Sequence, residues 1–386
     1  MISDKKTERT EDMRVKELDR LIDSLPGLGF PGVDLIVTEK GKTVYRRMAG
    51  YSDADKTRPV SEKDLYWIFS CSKVVTCTAA MRLVEEGKLG LWDKVSDYLP
   101  TFANLTIADK NGTRPCPTDM RIVHLFTMTG GLDYNFNAPA VKEATLKPGS
   151  GTVSIASAMG VGPIGFEPGT RYRYSLCHDV LAAVVEVVSG VRFADYCRDL
   201  IFDPLGMTES GFHPDAGQLS RFADMYRYHN WDGTSEHVKC ENVHSLHQGY
   251  DSGGAGVFSN AGDFIKLMTV LAGRGTSPEG YRLLKPETVE MMRKNYLVPA
   301  ALADFVSWRL YGYGWGLCGR VHMNPAFSMS LSPAGEFGWD GAAGAFCMAD
   351  TDNQIAAYFS THVLGASYLY REIHPRMRNL IYAPED

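Results

Sequence analysis

The chain has 386 residues, 44% of them hydrophobic and 22% charged, which supplies a core for one large domain or two interleaved ones and excludes a disordered or fibrous protein. The formal net charge is −6 with no long basic run, which argues against a nucleic-acid partner. Met1 to Asp12 lacks the apolar stretch of a secretory signal. The most apolar run, Val180 to Val188, is broken by Glu186 and too short to cross a bilayer. The expectation is a cytoplasmic protein with no membrane partner.

Residues 1–10 read as a disordered tail. Val15, Leu18, Leu21 and Ile22 then fall at helical spacing and predict an amphipathic helix over 13–24, stopped before Pro26-Gly27. Val33–Thr38 and Thr43–Met48 flank Glu39-Lys40-Gly41-Lys42, the pattern of a strand–turn–strand hairpin. A long helix should follow Ser70, carried by Val74, Val75, Ala79, Leu83 and Val84 and ended by Gly87 and Gly90. The middle of the chain is turn-rich, with helices predicted at Cys177–Val188 and Phe193–Ile201. Further on, Asp263–Ala272 reads as a helix. Phe346–Ala349 and Ile355–Ser360 read as strands around the polar turn Asp350–Asn353. A last helix runs from Ser367 to Tyr382, kinked at Pro375. Strands near both ends with helices between them give an α+β class. The expected division is an α/β lobe from 11–67 and 250–386 and a mainly helical lobe from 68–249.

Eight cysteines are scattered without a C-x-x-C pair, so buried free thiols in a reducing compartment are expected. His244-Ser245-Leu246-His247 has no acidic or cysteine partner at ligand spacing and reads as loop histidines; no metal and no cofactor are expected. His178 reads as a supporting or helix-surface residue, not as a catalytic base.

Ser70-Cys71-Ser72-Lys73 is a Ser-x-x-Lys motif. Positions three apart share a helix face, so hydroxyl and ammonium would lie side by side. A serine is a weak nucleophile until a neighbour takes its proton. A lysine does so when its proton affinity drops towards neutrality, to about 7–8 in tuned sites, under burial and the helix dipole. The motif by itself is commoner as a helix cap with a surface lysine, and Ser3-Asp4-Lys5-Lys6 has the same spacing. What separates Ser70 is its context: Leu65-Tyr66-Trp67-Ile68-Phe69 before it and an apolar helix after it. Pro168-Gly169-Thr170-Arg171-Tyr172-Arg173-Tyr174-Ser175 is a turn into a helix whose tyrosines could relay protons or pack in the core. Gly338-Trp339-Asp340-Gly341-Ala342-Ala343-Gly344 leads into a strand, where glycines let a substrate lie along the backbone and an N–H face an oxyanion. Gly-x-Ser-x-Gly, the nucleophile elbow of the other large esterase fold, is absent.

In this order, the three motifs resemble those of the serine β-lactamase and penicillin-binding protein superfamily. Gly87 to Pro100, Leu125 to Leu132, Pro204 to Met207, Gly253 to Gly256 and Tyr311 to Gly316 resemble its supporting segments, with Met128 and Gly130 as departures. The details are closest to family VIII carboxylesterases and lovastatin-type acyltransferases. The resemblance implies a central antiparallel sheet flanked by helices, with the site between two lobes. It implies Ser70 as nucleophile, Lys73 and Tyr174 as proton carriers, and the backbone N–H groups of Ser70 and Ala342 as the oxyanion hole; it leaves open which of Lys73 and Tyr174 takes the serine proton. Trp339 stands where relatives have a lysine that holds a substrate carboxylate, and Leu176 stands where they have asparagine. Both point to an ester or acyl donor of a small molecule, with β-lactamase or D-amino-acid peptidase activity as the alternative and an inactive binding protein as a third possibility. Trp339, Asp340, Gly341, Leu176 and Tyr250 are the expected substrate-side residues, with Tyr172 as a further candidate. Asp340 could meet a cationic substrate group or bond elsewhere; the second is favoured.

Overall fold

The computed structural model describes residues 15–110 and 112–383; the expected tail at 1–10 and the first residues of the first helix lie outside them. Helix α1 covers 15–24. A seven-stranded sheet follows, made of β1 (Gly32–Glu39), β2 (Lys42–Gly50), β3 (Tyr313–Trp315), β4 (Arg320–His322), β5 (Phe337–Asp340), β6 (Phe346–Asp350) and β7 (Ile355–Ser360). Its order is β2-β1-β7-β6-β5-β4-β3, antiparallel throughout. The first strand of the chain thus pairs with the last of the sheet, Leu35 opposite Phe359 and Ile36 opposite Tyr358. The class is α+β.

Successive side chains of a strand face opposite sides, and here both sides are covered. Val33, Leu35, Val37, Phe346, Met348 and Phe359 pack on Leu18, Leu21 and Ile22 of α1 and on Met377 and Ile381. Ile36, Cys347, Ala349 and Tyr358 face the larger core instead. That core includes α2 (Ser72–Glu85), α3 (Cys177–Ser189) and α4 (Ala261–Ala272). A Thr38–Thr269 hydroxyl pair at 2.8 Å ties β1 to α4. Coverage on both faces explains why β1 is buried almost throughout and not at every second residue.

The last helix is one uninterrupted helical run over 367–381, close to the predicted 367–382. Its π-helical turn at Leu369–Ile373 directly precedes α5 (His374–Ile381), whose Pro375 has no N–H to give the turn before it. The long helix follows Ser70 as expected. Phe69–Cys71 form a 3-10 turn, and α2 starts at Ser72. Phe69 takes a left-handed backbone, φ 45°, which costs a residue with a side chain on the order of 1–3 kcal/mol. The strain sits immediately before the serine. All eight cysteines are free, and among the described residues no helix is long and apolar enough to cross a membrane.

Candidate active site

Ser70 and Lys73 meet as their spacing predicts. Lys73 Nζ lies 3.3 Å from Ser70 Oγ. The lysine is fully buried, so its amino group depends on protein partners. It has two more: the Gly254 carbonyl at 2.7 Å and the Tyr134 hydroxyl at 3.1 Å. Nζ also stands 4.7 Å above the Tyr174 ring centre.

Two phenols therefore flank the lysine. Tyr134 was not singled out in the sequence, although it lies only two residues beyond the Leu125–Leu132 segment. Burial, then the neighbouring Tyr174 and Asp179, pushes its phenol far above the usual range and keeps it protonated. Tyr174 packs beside Tyr134, ring centres 5.7 Å apart, and its oxygen accepts a hydrogen bond of 2.8 Å from Trp339 Nε1. Trp339 thus does more than present an apolar face: it is a donor aimed at the motif tyrosine. Trp315, buried beneath, packs edge-on against Trp339 at 4.5 Å and donates to the Phe126 carbonyl at 2.9 Å, which fixes the pair.

A buried segment, 250–257, clasps the start of α2. Thr76 donates to the Gly253 carbonyl at 2.6 Å, and the Val257 N–H donates to Ser72 Oγ at 3.0 Å. Tyr250 and Ser252 donate to Asp179 Oδ1 at 2.7 and 2.6 Å, while Asp179 Oδ2 has no hydrogen-bond partner. A Cβ on Gly254 would stand 2.4 Å from that oxygen and 3.3 Å from Lys73 Nζ. Asp179 and Lys73 thus both crowd the side of this residue where a Cβ would stand, and it has to be glycine. Asp179 gave no signal in the sequence, since a carboxylate in the first turn of a helix is ordinary there.

Ser70, Tyr174, Trp339, Asp340, Gly341 and Ala342 all line one cleft of about 700 Å³. Gly341 brings the β5 end flush against the segment before the serine: a Cβ there would lie 2.3 Å from the Ile68 carbonyl. Tyr370, which lines the same cleft, holds the turn by donating to the Gly341 and Ala342 carbonyls at 2.8 and 3.0 Å.

Three substrate-side expectations need correction. Leu176 caps the start of α3 and is buried in the core, because the helix entry turns its side chain inward. Tyr250 lies behind Lys73, fully buried, with its hydroxyl on Asp179. Tyr172 is enclosed by Phe305, Trp308 and Trp315. Asp340 does reach the cleft, but its carboxylate is already engaged, 3.3 Å from His374 Nδ1 and 3.8 Å from Arg320. Burial alone would raise its pKa; His374 and Arg320 outweigh that and hold it below the usual carboxylate value. Arg320 and Arg378 also face buried Glu336, so the network balances two cations against two carboxylates.

The histidines are not placed as a base. His178 is buried with Nε2 3.0 Å from the Phe126 carbonyl; burial, then the Lys73 charge, lowers its pKa to about 3. His244 lies among Phe69, Tyr134 and Phe136, and burial lowers its pKa to about 4. No group of three or more His, Cys, Asp or Glu among the described residues is arranged to hold a metal.

Residues 18–373 match the family described as Beta-lactamase. The chain belongs to that family. It is 31% identical over 345 residues to Protein Rv1367c of Mycobacterium tuberculosis, covering 86% of each chain. It is 30% identical over 355 residues to Esterase EstB of Burkholderia gladioli, covering 81% of each. Among solved structures, EstCE1, described as a hydrolase with promiscuous acyltransferase activity, superposes with a TM-score of 0.79 at 24% identity, covering 97% of this chain and 99% of that one; that likeness supports the fold. Within the Beta-lactamase family, this chain is a serine hydrolase or acyltransferase.

Proposed function

We propose that the chain cleaves or transfers the acyl group of small-molecule esters through an acyl-enzyme on Ser70. The observation that carries this reading is the buried Lys73 Nζ 3.3 Å from the Ser70 hydroxyl at the base of a cleft whose third motif presents Trp339. A tryptophan cannot hold a substrate carboxylate as a lysine does. The relative named an esterase, EstB, supports the ester reading.

Within the Lys73–Tyr174 pair, the unprotonated partner takes the Ser70 proton as Oγ attacks the ester carbonyl carbon. The C=O π pair moves to oxygen, and the oxyanion faces the backbone N–H groups of Ser70 and Ala342. The C–O bond to the alcohol then breaks, and Tyr174 returns a proton to the departing oxygen. Its phenolate is stabilised by the Trp339 N–H at 2.8 Å. Tyr134, 3.1 Å from Lys73 Nζ, is placed to keep the lysine oriented between Ser70 and Gly254. Water, or an alcohol acceptor, then attacks the acyl carbon and restores the Ser70 hydroxyl. No cofactor enters the scheme. The eight free thiols fit a cytoplasmic setting.

Ser70→Ala should lower kcat for p-nitrophenyl acetate by roughly 10³-fold or more, as loss of a nucleophile does elsewhere. Ser70→Ala protein that keeps turnover near the wild-type rate would sink the proposal. Nitrocefin turnover comparable to ester turnover would move the substrate class to lactams.

A further inference from the structure

Four large apolar side chains stand uncovered around the cleft mouth: Trp308, Tyr311, Phe327 and Met329 are 51%, 60%, 72% and 82% exposed. All four line the same cleft as Ser70, Tyr174 and Trp339. Such a contiguous apolar group is uncommon on a protein surface unless something covers it.

The group is held in place. Its two segments, 308–311 and 325–329, are pinned at Gly312, whose carbonyl accepts from the N–H groups of Met323 and Asn324 at 2.8 and 2.9 Å. Gly312 has φ 77°, and a side chain there would stand 2.5 Å from both the Asn324 carbonyl oxygen and the Ser328 nitrogen. The turns that aim the rim are left-handed at Arg309, φ 66°, and Met329, φ 56°. Residues with side chains seldom adopt that conformation, and it persists where surrounding structure enforces it. An enforced backbone with apolar side chains turned into the cleft is a preformed subsite.

Its inner end indicates which half of an ester it meets. Trp308 packs edge-on against Tyr174, ring centres 5.8 Å apart, and Tyr174 is the group that protonates the departing oxygen in the mechanism above. We propose that this rim is the subsite for the alcohol half of the substrate, and that the alcohol is bulky and apolar, a long aliphatic or aromatic group. This rests on the Ser70 and Tyr174 reading. The cleft volume, about 700 Å³, falls in the range that encloses drug-sized ligands and far exceeds what an ethyl ester fills. The same subsite would seat an apolar acceptor alcohol in transfer. The acceptor oxygen bonds the acyl carbon as the Ser70 C–O bond breaks, and the acceptor's proton returns to Ser70.

The test uses the double variant Phe327→Ser/Met329→Ser on the full chain, with Trp231→Ser, an exposed aromatic outside the cleft, as control. Acetates of ethanol, butanol, octanol and 2-phenylethanol are followed by pH-stat, and p-nitrophenyl esters of two- to eight-carbon acids form a second arm. The wild-type and control proteins should favour octyl over ethyl acetate at least tenfold in kcat/KM. The double variant should lose at least fivefold of that ratio and keep the wild-type ratio along the acyl series. An unchanged alcohol ratio overturns the proposal, and so does a ratio that collapses along the acyl series instead. With Ser70→Ala inactive, either result sinks the rim assignment alone; Ser70→Ala that stays active sinks the acyl-enzyme reading itself.

Discussion

The two sides of the cleft are built on opposite principles. Behind Ser70 the chain buries polar groups and pairs them: Lys73 with Ser70, Tyr134 and Gly254, and Asp179 with Tyr250 and Ser252. Across the cleft, around Phe327 and Met329, it exposes apolar groups and leaves them uncovered. A buried charge without partners is expensive, so the first wall is fixed by many mutual contacts and has little freedom to change. The second wall touches no buried charge at its tip, so its side chains can vary while the chemistry persists. On the proposed reading, the nucleophile and the choice of substrate belong to separate parts of the molecule.

The strongest way to break this contrast is Gly254→Ala. The new methyl would stand 2.4 Å from Asp179 Oδ2, and relief moves either the carboxylate or the carbonyl that holds Lys73. We expect kcat to fall by about 100-fold, in line with small misplacements of catalytic groups, with the unfolding midpoint measured alongside. Turnover within threefold of wild type would show that the Lys73 wall is not over-determined.

Trp339→Phe is a smaller perturbation at the point where the walls meet. The ring remains to pack on Trp315, but the 2.8 Å donor to Tyr174 is gone. A lost hydrogen bond to a group that becomes charged is worth about 1.5–3 kcal/mol, so kcat should fall about 10- to 100-fold. In a Tyr174→Phe background the same change should add almost nothing, because the acceptor has been removed. Equal effects in both backgrounds would reduce Trp339 to packing.

Stability as a function of pH sharpens the comparison from another side. His178 and His244, both on the Lys73 side, have pKa values lowered to about 3 and about 4, against 6.5 for an unperturbed histidine. Between pH 6.5 and those values the unfolded chain binds more protons than the folded one. Their contribution is therefore fully present above pH 6.5 and declines as the pH falls, by about 1.4 kcal/mol per unit for each histidine. Urea unfolding at pH 7.5, 6 and 5 should show this slope together with that of His124 and His362, which burial likewise lowers to about 4. His178→Gln should flatten it by about one proton, and Phe327→Ser/Met329→Ser should leave the slope unaltered. A slope that His178→Gln does not touch would place the proton uptake elsewhere.

Much of the chemistry was readable because it is local. Ser70 and Lys73 are three residues apart, and helical geometry alone brings them together. Trp339, Asp340 and Gly341 reach the cleft because they end a strand with glycine beside it. The hairpin and the amphipathic first helix were equally legible from periods of two and of three to four. Other features depend on contacts between distant parts of the chain. Tyr134 reaches Lys73 across 61 residues and the Gly254 carbonyl across 181, and no spacing announces either. Leu176 and Tyr250 looked like cleft residues because of the motifs beside them, yet the turn of the backbone at each sends the side chain inward. Sequence by itself determined the Ser70–Lys73 pairing and the tryptophan at position 339, since each rests on neighbours along the chain. Only the tertiary structure decided what holds the lysine, that the tryptophan donates to Tyr174, and that the far wall is apolar. Those depend on which side chains the closing of the sheet and the packing of α2, α3 and α4 bring within hydrogen-bond reach.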